Sequence, residues 1–163
     1  VVGGGRIPNQ SRSKVESFGK ETKMANICEN WIKVSHDDPE MLKRFVEASQ
    51  SDTIAQTFCP VSEINIHSFG CVADARMRLW GVRHDFGIEE FKCNKGKKIS
   101  GWFRTKWVSP VGVYSALTKA GFRVKACWQE LGEHFIGEYR SDSGIAEYND
   151  TNKIPKHISK RFR

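Results

Sequence analysis

The sequence predicts an α+β domain with the order β-α-β-β-α-β, its two helices covering one face of a sheet, followed by a C-terminal β-hairpin. Three observations predict it. Segments with period-two alternation recur along the chain, and two amphipathic helical stretches separate them. Each helical stretch opens with a proline directly after Asp or Ser. The length of 163 residues is enough for one core and too short for two.

Asn30–Ser35 alternates, with Ile32 and Val34 on one face, and reads as the first strand. Asp38-Pro39 then starts a helix, because the Asp carboxylate accepts from free first-turn amides and proline needs no partner for an N–H it lacks. Met41, Leu42, Phe45 and Val46 form its apolar stripe, which fades near Ser51-Asp52. Residues 53–87 hold short apolar pieces without a sustained period. They read as a long, mostly irregular insertion with one short strand or helix near Ala75–Trp80.

Ile88–Cys93 reads as a strand, turned by Asn94-Lys95-Gly96 into a second one. On the return strand Ile99, Gly101, Phe103, Thr105 and Trp107 share the core face, while Ser100, Trp102, Arg104 and Lys106 share the other. Ser109 is expected to cap a second helix that Pro110 begins and Gly121 ends. Phe122, Val124, Ala126 and Trp128 alternate with Arg123, Lys125, Cys127 and Gln129 on the next strand. Turns at Gly132 and at Ser141–Gly144 set off the hairpin strands His134–Tyr139 and Ile145–Tyr148. The first six elements make a ferredoxin-like sandwich, with residues 53–87 inserted after its first helix and the hairpin as an extension.

The chain divides into residues 1–23, a domain over 24–150 and a basic tail over 151–163. Residues 1–23 are rich in Gly, Ser, Asn, Gln, Lys and Arg without period, and read as disordered. Codons for Gly19–Met24 can carry a purine-rich ribosome-binding block before an ATG, so Met24 is the expected start and 1–23 a leader or appended sequence; the alternative is a native flexible arm. The tail, from Asn152, reads as frayed.

The net charge of +7 has an uneven source. Residues 1–23 carry five basic and two acidic side chains, residues 151–163 five basic and none acidic, and 24–150 sixteen against seventeen. The folded body is therefore close to neutral, and polyanion binding is expected of the tails before the body. No apolar run approaches the ~18–20 residues of a membrane span, and residues 1–6 do not have the order of a secretory signal. Five dispersed cysteines are odd in number and sparse for a disulfide framework, which points to a reduced, cytoplasmic protein.

Motifs for chemistry are missing from the sequence. Cys59, His67, Cys71 and His84 fall in the insertion, but no Cys-x-x-Cys pair is present and their spacings fit no zinc finger or ribbon. There is no Gly-x-Ser-x-Gly elbow and no His-Glu-x-x-His. Catalytic residues, metal and cofactor are all expected to be absent.

Several blocks together resemble the YubB-type family of phage and plasmid proteins. They are Ala25–Asn30 after Met24, Phe58-Cys59-Pro60-Val61, Leu79-Trp80-Gly81, Lys106-Trp107-Val108-Ser109-Pro110 and Phe135-Ile136-Gly137-Glu138. The chain departs from that pattern at Ile27, at His84-Asp85-Phe86 and at Pro110-Val111. The resemblance implies a ferredoxin-like domain in a mobile-element setting and supplies no catalytic residues. The expected function is that of a non-catalytic accessory protein binding a host or defence-system protein, as an anti-defence inhibitor or regulator. The alternative is a nucleic-acid-binding factor, with DNA or RNA held by the sheet face and basic tails. Candidate contact residues are Trp31, Trp102, Arg104 and Lys106 on the sheet face away from the helices, and Trp80, Arg83 and His84 in the insertion.

Overall fold

The computed structural model describes residues 26–149 and 153–163. The expectations for the first 23 residues and for a start at Met24 lie outside the described residues. Within them the chain is α+β, with one fully antiparallel six-stranded sheet. Its strands are β1 (Ile27–Ser35), β2 (Glu90–Asn94), β3 (Lys98–Lys106), β4 (Arg123–Glu130), β5 (Phe135–Arg140) and β6 (Gly144–Tyr148). Their order across the sheet is β2-β3-β1-β4-β5-β6. The helices are α1 (Pro39–Gln50), α2 (Ile54–Phe58), α3 (Glu63–Phe69), α4 (Val72–Trp80), α5 (Val111–Lys119) and α6 (Lys156–Ser159).

β1 is the central strand, paired with β3 from Ile27↔Lys106 to Ser35↔Lys98 and with β4 from Cys28↔Glu130 to Ser35↔Arg123. Alternation decides which residues reach the core. Ile32 and Val34 of β1, Ile99 and Phe103 of β3, and Val124 and Trp128 of β4 are buried on one face. Leu42 and Phe45 of α1 and Val113 and Leu117 of α5 supply the opposing layer. Asp38 caps α1, its Oδ1 accepting from Glu40 N at 2.9 Å, with Pro39 in the first helical position. Gly137 stands on β5 because the Trp128 indole fills the space a Cβ would need.

A polar knot crosses the core layer. Asn30, fully buried, donates through Nδ2 to Thr105 Oγ1 at 2.9 Å and to Cys28 O at 3.0 Å. Its Oδ1 accepts from the Tyr114 hydroxyl at 3.5 Å, which in turn meets Ser109 Oγ at 2.9 Å. Burial pushes the Tyr114 phenol well above its ordinary value, so it remains a protonated donor. Every polar atom of Asn30 thus has a partner, as a buried amide requires.

The junction after β3 differs from the sequence expectation. Trp107 takes φ +71°, which breaks the strand alternation and turns its indole outward to 46% exposure. It is not a core residue. Ser109 does not cap α5, because its hydroxyl is engaged with Tyr114 in the buried knot; Pro110 takes the N-cap position and the helix begins at Val111.

The insertion is helical rather than irregular. α2 receives its cap from outside, with Asp85 accepting from Ala55 N at 2.7 Å and Gln56 N at 2.8 Å. α3 carries a capping box between Ser62 and Asn65. α4 ends on Gly81 in the left-handed region and buries Trp80, whose Nε1 donates to Cys59 O at 2.6 Å. The C-terminal segment also departs from a frayed tail: α6 packs Ile158, with no exposed surface, against the body.

Candidate functional site

On the sheet face opposite α1 and α5, the register sets the outward residues in rows running across the strands. One row reads Glu90, Trp102, Trp31, Cys127, Glu138, Ala146 from β2 to β6. The next reads Lys92, Ser100, Lys33, Lys125, Arg140, and the one beyond it Asn94, Lys98, Ser35, Arg123. Two tryptophans therefore stand directly opposite each other beside a block of cations drawn from five strands.

The cations surround a groove of about 300 Å³ lined by Lys33, Lys98, Arg123, Lys125 and Arg140, with Asp142 at its edge. Arg123 is held by Asp37 at 2.9 Å and by Ser35 Oγ at 3.1 Å; the Arg123 hydrogen bond keeps the Asp37 carboxyl below its usual range. Arg140 lies 3.7 Å from Glu138. Among the described residues no carboxylate is within ion-pair distance of Lys33, Lys98 or Lys125. Three ammonium groups without counter-ions around one groove make a field that attracts a polyanion.

The tryptophan pair has a cover supplied by the chain itself. The guanidinium of Arg161 lies 3.4 Å from the centre of the Trp31 ring, and Phe162 meets Trp102 edge-on at 5.3 Å. The cover is pinned by α6 through Ile158 and through His157, whose Nε2 lies 2.9 Å from Glu138 Oε2. Tyr148 donates to the other Glu138 oxygen at 2.8 Å. Burial works to raise the Glu138 carboxyl, but the bonds from His157 and Tyr148 outweigh it and leave the group below its ordinary value.

The predicted contact residues divide accordingly. Trp31 and Trp102 are brought together, with Arg104 and Lys106 further along β3. Arg104 is engaged by Glu89 at 3.0 Å, and Lys106 is exposed at the strand end. Trp80 is no surface residue: it has no exposed area and carries Arg76 over its ring. Arg83 and His84 are exposed on the loop after α4 and belong to no strand of the sheet. The residues that sequence reasoning missed are Lys33, Lys98, Arg123, Lys125 and Arg140, together with Arg161 and Phe162. Their signal was present as a cation at alternate, outward positions of successive strands.

Cys28 and Cys127 have their thiols pushed up to about 12 by burial, far from a reactive thiolate. Among the described residues no group of three or more His, Cys, Asp or Glu side chains gathers to hold a metal ion, the cysteines are all free, and no helix is long and apolar enough to cross a membrane. No family model, curated protein or solved structure matches this chain.

Proposed function

We propose that this protein is a non-catalytic accessory protein of a phage or plasmid, and that its ligand is single-stranded nucleic acid laid across the outer sheet face. The observation that carries the reading is the five-cation groove beside the Trp31–Trp102 pair. Phosphates need cations without counter-ions, and unpaired bases need flat aromatic surfaces; this face sets the two side by side. The strand order β2-β3-β1-β4, with α1 and the insertion after β1 and α5 after β3, supports a ferredoxin-like core, on which such a face is a common platform.

The test is fluorescence anisotropy of a labelled oligothymidine of about 12 nucleotides, titrated with the full chain over a salt series. Binding should weaken steeply with salt. Replacing Lys33 and Lys125 by Ala together should reduce the slope of log K against log salt by roughly 1.4, about 0.7 for each lost phosphate contact. If neither this oligomer nor its uridine counterpart binds at low salt, to the wild-type chain or to a variant in which the cover on the Trp31–Trp102 pair is removed, the reading fails. The chain should not be trimmed at residue 150, because that would remove α6 and its buried Ile158.

A second reading, a host or defence-system protein as partner, is favoured by one separate feature. Ile64, Phe69, Val72 and Met77 are exposed on α3 and α4 at 77%, 37%, 40% and 39%. Exposed apolar groups at this density on one small hairpin mark contact surfaces. On this reading a partner recovered by affinity capture is lost on Ile64→Glu and retained when Lys33 and Lys125 are replaced; the opposite pattern rejects it.

A further inference from the structure

We infer that Trp31 and Trp102 form the base-stacking subsite of this face, and that Phe162 with Arg161 occupies it in the free protein as a ligand supplied in cis. The inference rests on the nucleic-acid reading above and says where the bases go and what they must displace. A nucleotide on an aromatic platform offers a flat ring and is often joined by an arginine plane. The C-terminal residues offer the same pair of groups: a ring against Trp102 and a guanidinium plane against Trp31.

The attachment of the segment is graded. α6 is fixed to the body by Ile158 and by the His157–Glu138 pair, and its own last turn is closed by the backbone bond from Lys160 N to Lys156 O at 3.0 Å. The last backbone bond is Arg161 N to Ile158 O at 2.9 Å, and no such bond of Phe162 or Arg163 occurs among the described residues. Among the described residues, side-chain contact alone holds Phe162 and Arg163 in place, so Phe162 can leave Trp102 while the helix stays docked. Arg161, Phe162 and Arg163 also line a cavity of about 470 Å³ with Glu29, Glu89 and Glu90. Arg104 lies on the same rim and is held by Glu89 at 3.0 Å, so Glu29 and Glu90 are the carboxylates left to give the two arginines a place near the platform. Phosphates find cations without ion-pair partners on the Lys33–Lys125 side, and bases find the tryptophans.

The experiment uses Phe162→Ala, which leaves every charge of the chain in place, so a change in affinity is not electrostatic in origin. In the oligothymidine titration this variant should bind about three- to tenfold tighter than wild type, the scale of one lost aromatic contact. The gain should vanish when Trp102→Ala is already present, because nothing then remains to be uncovered. Phe162→Leu, which keeps apolar cover without a ring, should give a smaller gain in the same cycle and stands in if the alanine variant is misfolded by circular dichroism. Tighter binding by Phe162→Ala where wild type shows none also supports the inference. Unchanged or weaker binding by a folded Phe162→Ala, or a gain that survives Trp102→Ala, overturns it while wild-type binding stands. Absence of binding by wild type and variants alike removes the nucleic-acid reading and this inference with it.

Discussion

Trp80 and Trp128 are sealed in the core, Trp31 and Trp102 pair on the outer sheet face, and Trp107 lies half exposed at φ +71°. Backbone geometry, not hydrophobicity, sorts them. A non-glycine residue in the left-handed region costs on the order of 1 kcal/mol or more, and at Trp107 it also sends a large apolar side chain into water. Trp107→Gly should therefore leave the urea-unfolding free energy within about 1 kcal/mol of wild type, or raise it, since glycine adopts this φ freely. Trp128→Ala should cost about 3–5 kcal/mol, as truncation of a buried aromatic does. A loss at Trp107 comparable to that at Trp128 would contradict the outward placement. Alternation read from Ile99 to Lys106 was right for each strand position and failed one residue later, at Trp107, at a φ reversal that leaves no mark in residue type. Ser109 shows the same limit: Ser-Pro ahead of a helix is a sound capping signal, but the hydroxyl is engaged by Tyr114, five residues on and buried, which the capping pattern does not register.

At the scale of elements, the long strands and the capped helix α1 were legible because each carries its period over at least eight residues. The insertion was not. α2, α3 and α4 span five, seven and nine residues, too few turns for a 3.6-residue period to stand out. Two of their end signals were nonetheless in the chain, Ser62 with Asn65 and Gly81 after Trp80. The cap of α2 was invisible for a different reason, since Asp85 reaches back across some thirty positions to hold Ala55 and Gln56 while also accepting from Phe86 N at 2.8 Å. One carboxylate thus closes the loop of the whole insertion. Asp85→Ala leaves three amides without their acceptor and should destabilise the protein by about 2–3 kcal/mol in chemical denaturation. Hydrogen exchange should then rise first at Ala55 and Gln56. A change below about 0.5 kcal/mol would mean that the insertion is held by its apolar contacts alone.

For the whole molecule, charge counted along the chain and charge counted across the sheet give opposite answers. Residues 24–150 carry sixteen basic and seventeen acidic groups, yet alternation sends Lys33, Lys98, Arg123, Lys125 and Arg140 to one side of the sheet. A neutral sum concealed a segregated surface, and only strand pairing converts the one into the other. The C-terminal segment completes this face, and its fully buried apolar anchor on the body is Ile158. Burying that side chain contributes roughly 1.5–3 kcal/mol, against the cost of ordering a short, strongly basic segment whose other contacts, His157–Glu138, Arg161–Trp31 and Phe162–Trp102, lie at the surface of the sheet. Ile158→Asp puts an unpaired carboxylate where no water reaches and should release α6 altogether. The thermal midpoint should fall, and Trp31 and Trp102 should become more open to acrylamide quenching, an effect that must shrink in Trp31→Phe/Trp102→Phe controls. His157 then no longer braces Glu138, so the depressed carboxyl returns toward its ordinary value. A carboxyl lowered in the folded state stabilises fully above its unfolded value, and that contribution is lost as pH falls through the folded one. Between about pH 5 and pH 3, spanning the ordinary glutamate value, the difference in midpoint between wild type and Ile158→Asp should accordingly narrow. A difference that is constant over this interval would separate the anchoring of α6 from the Glu138–His157 pair.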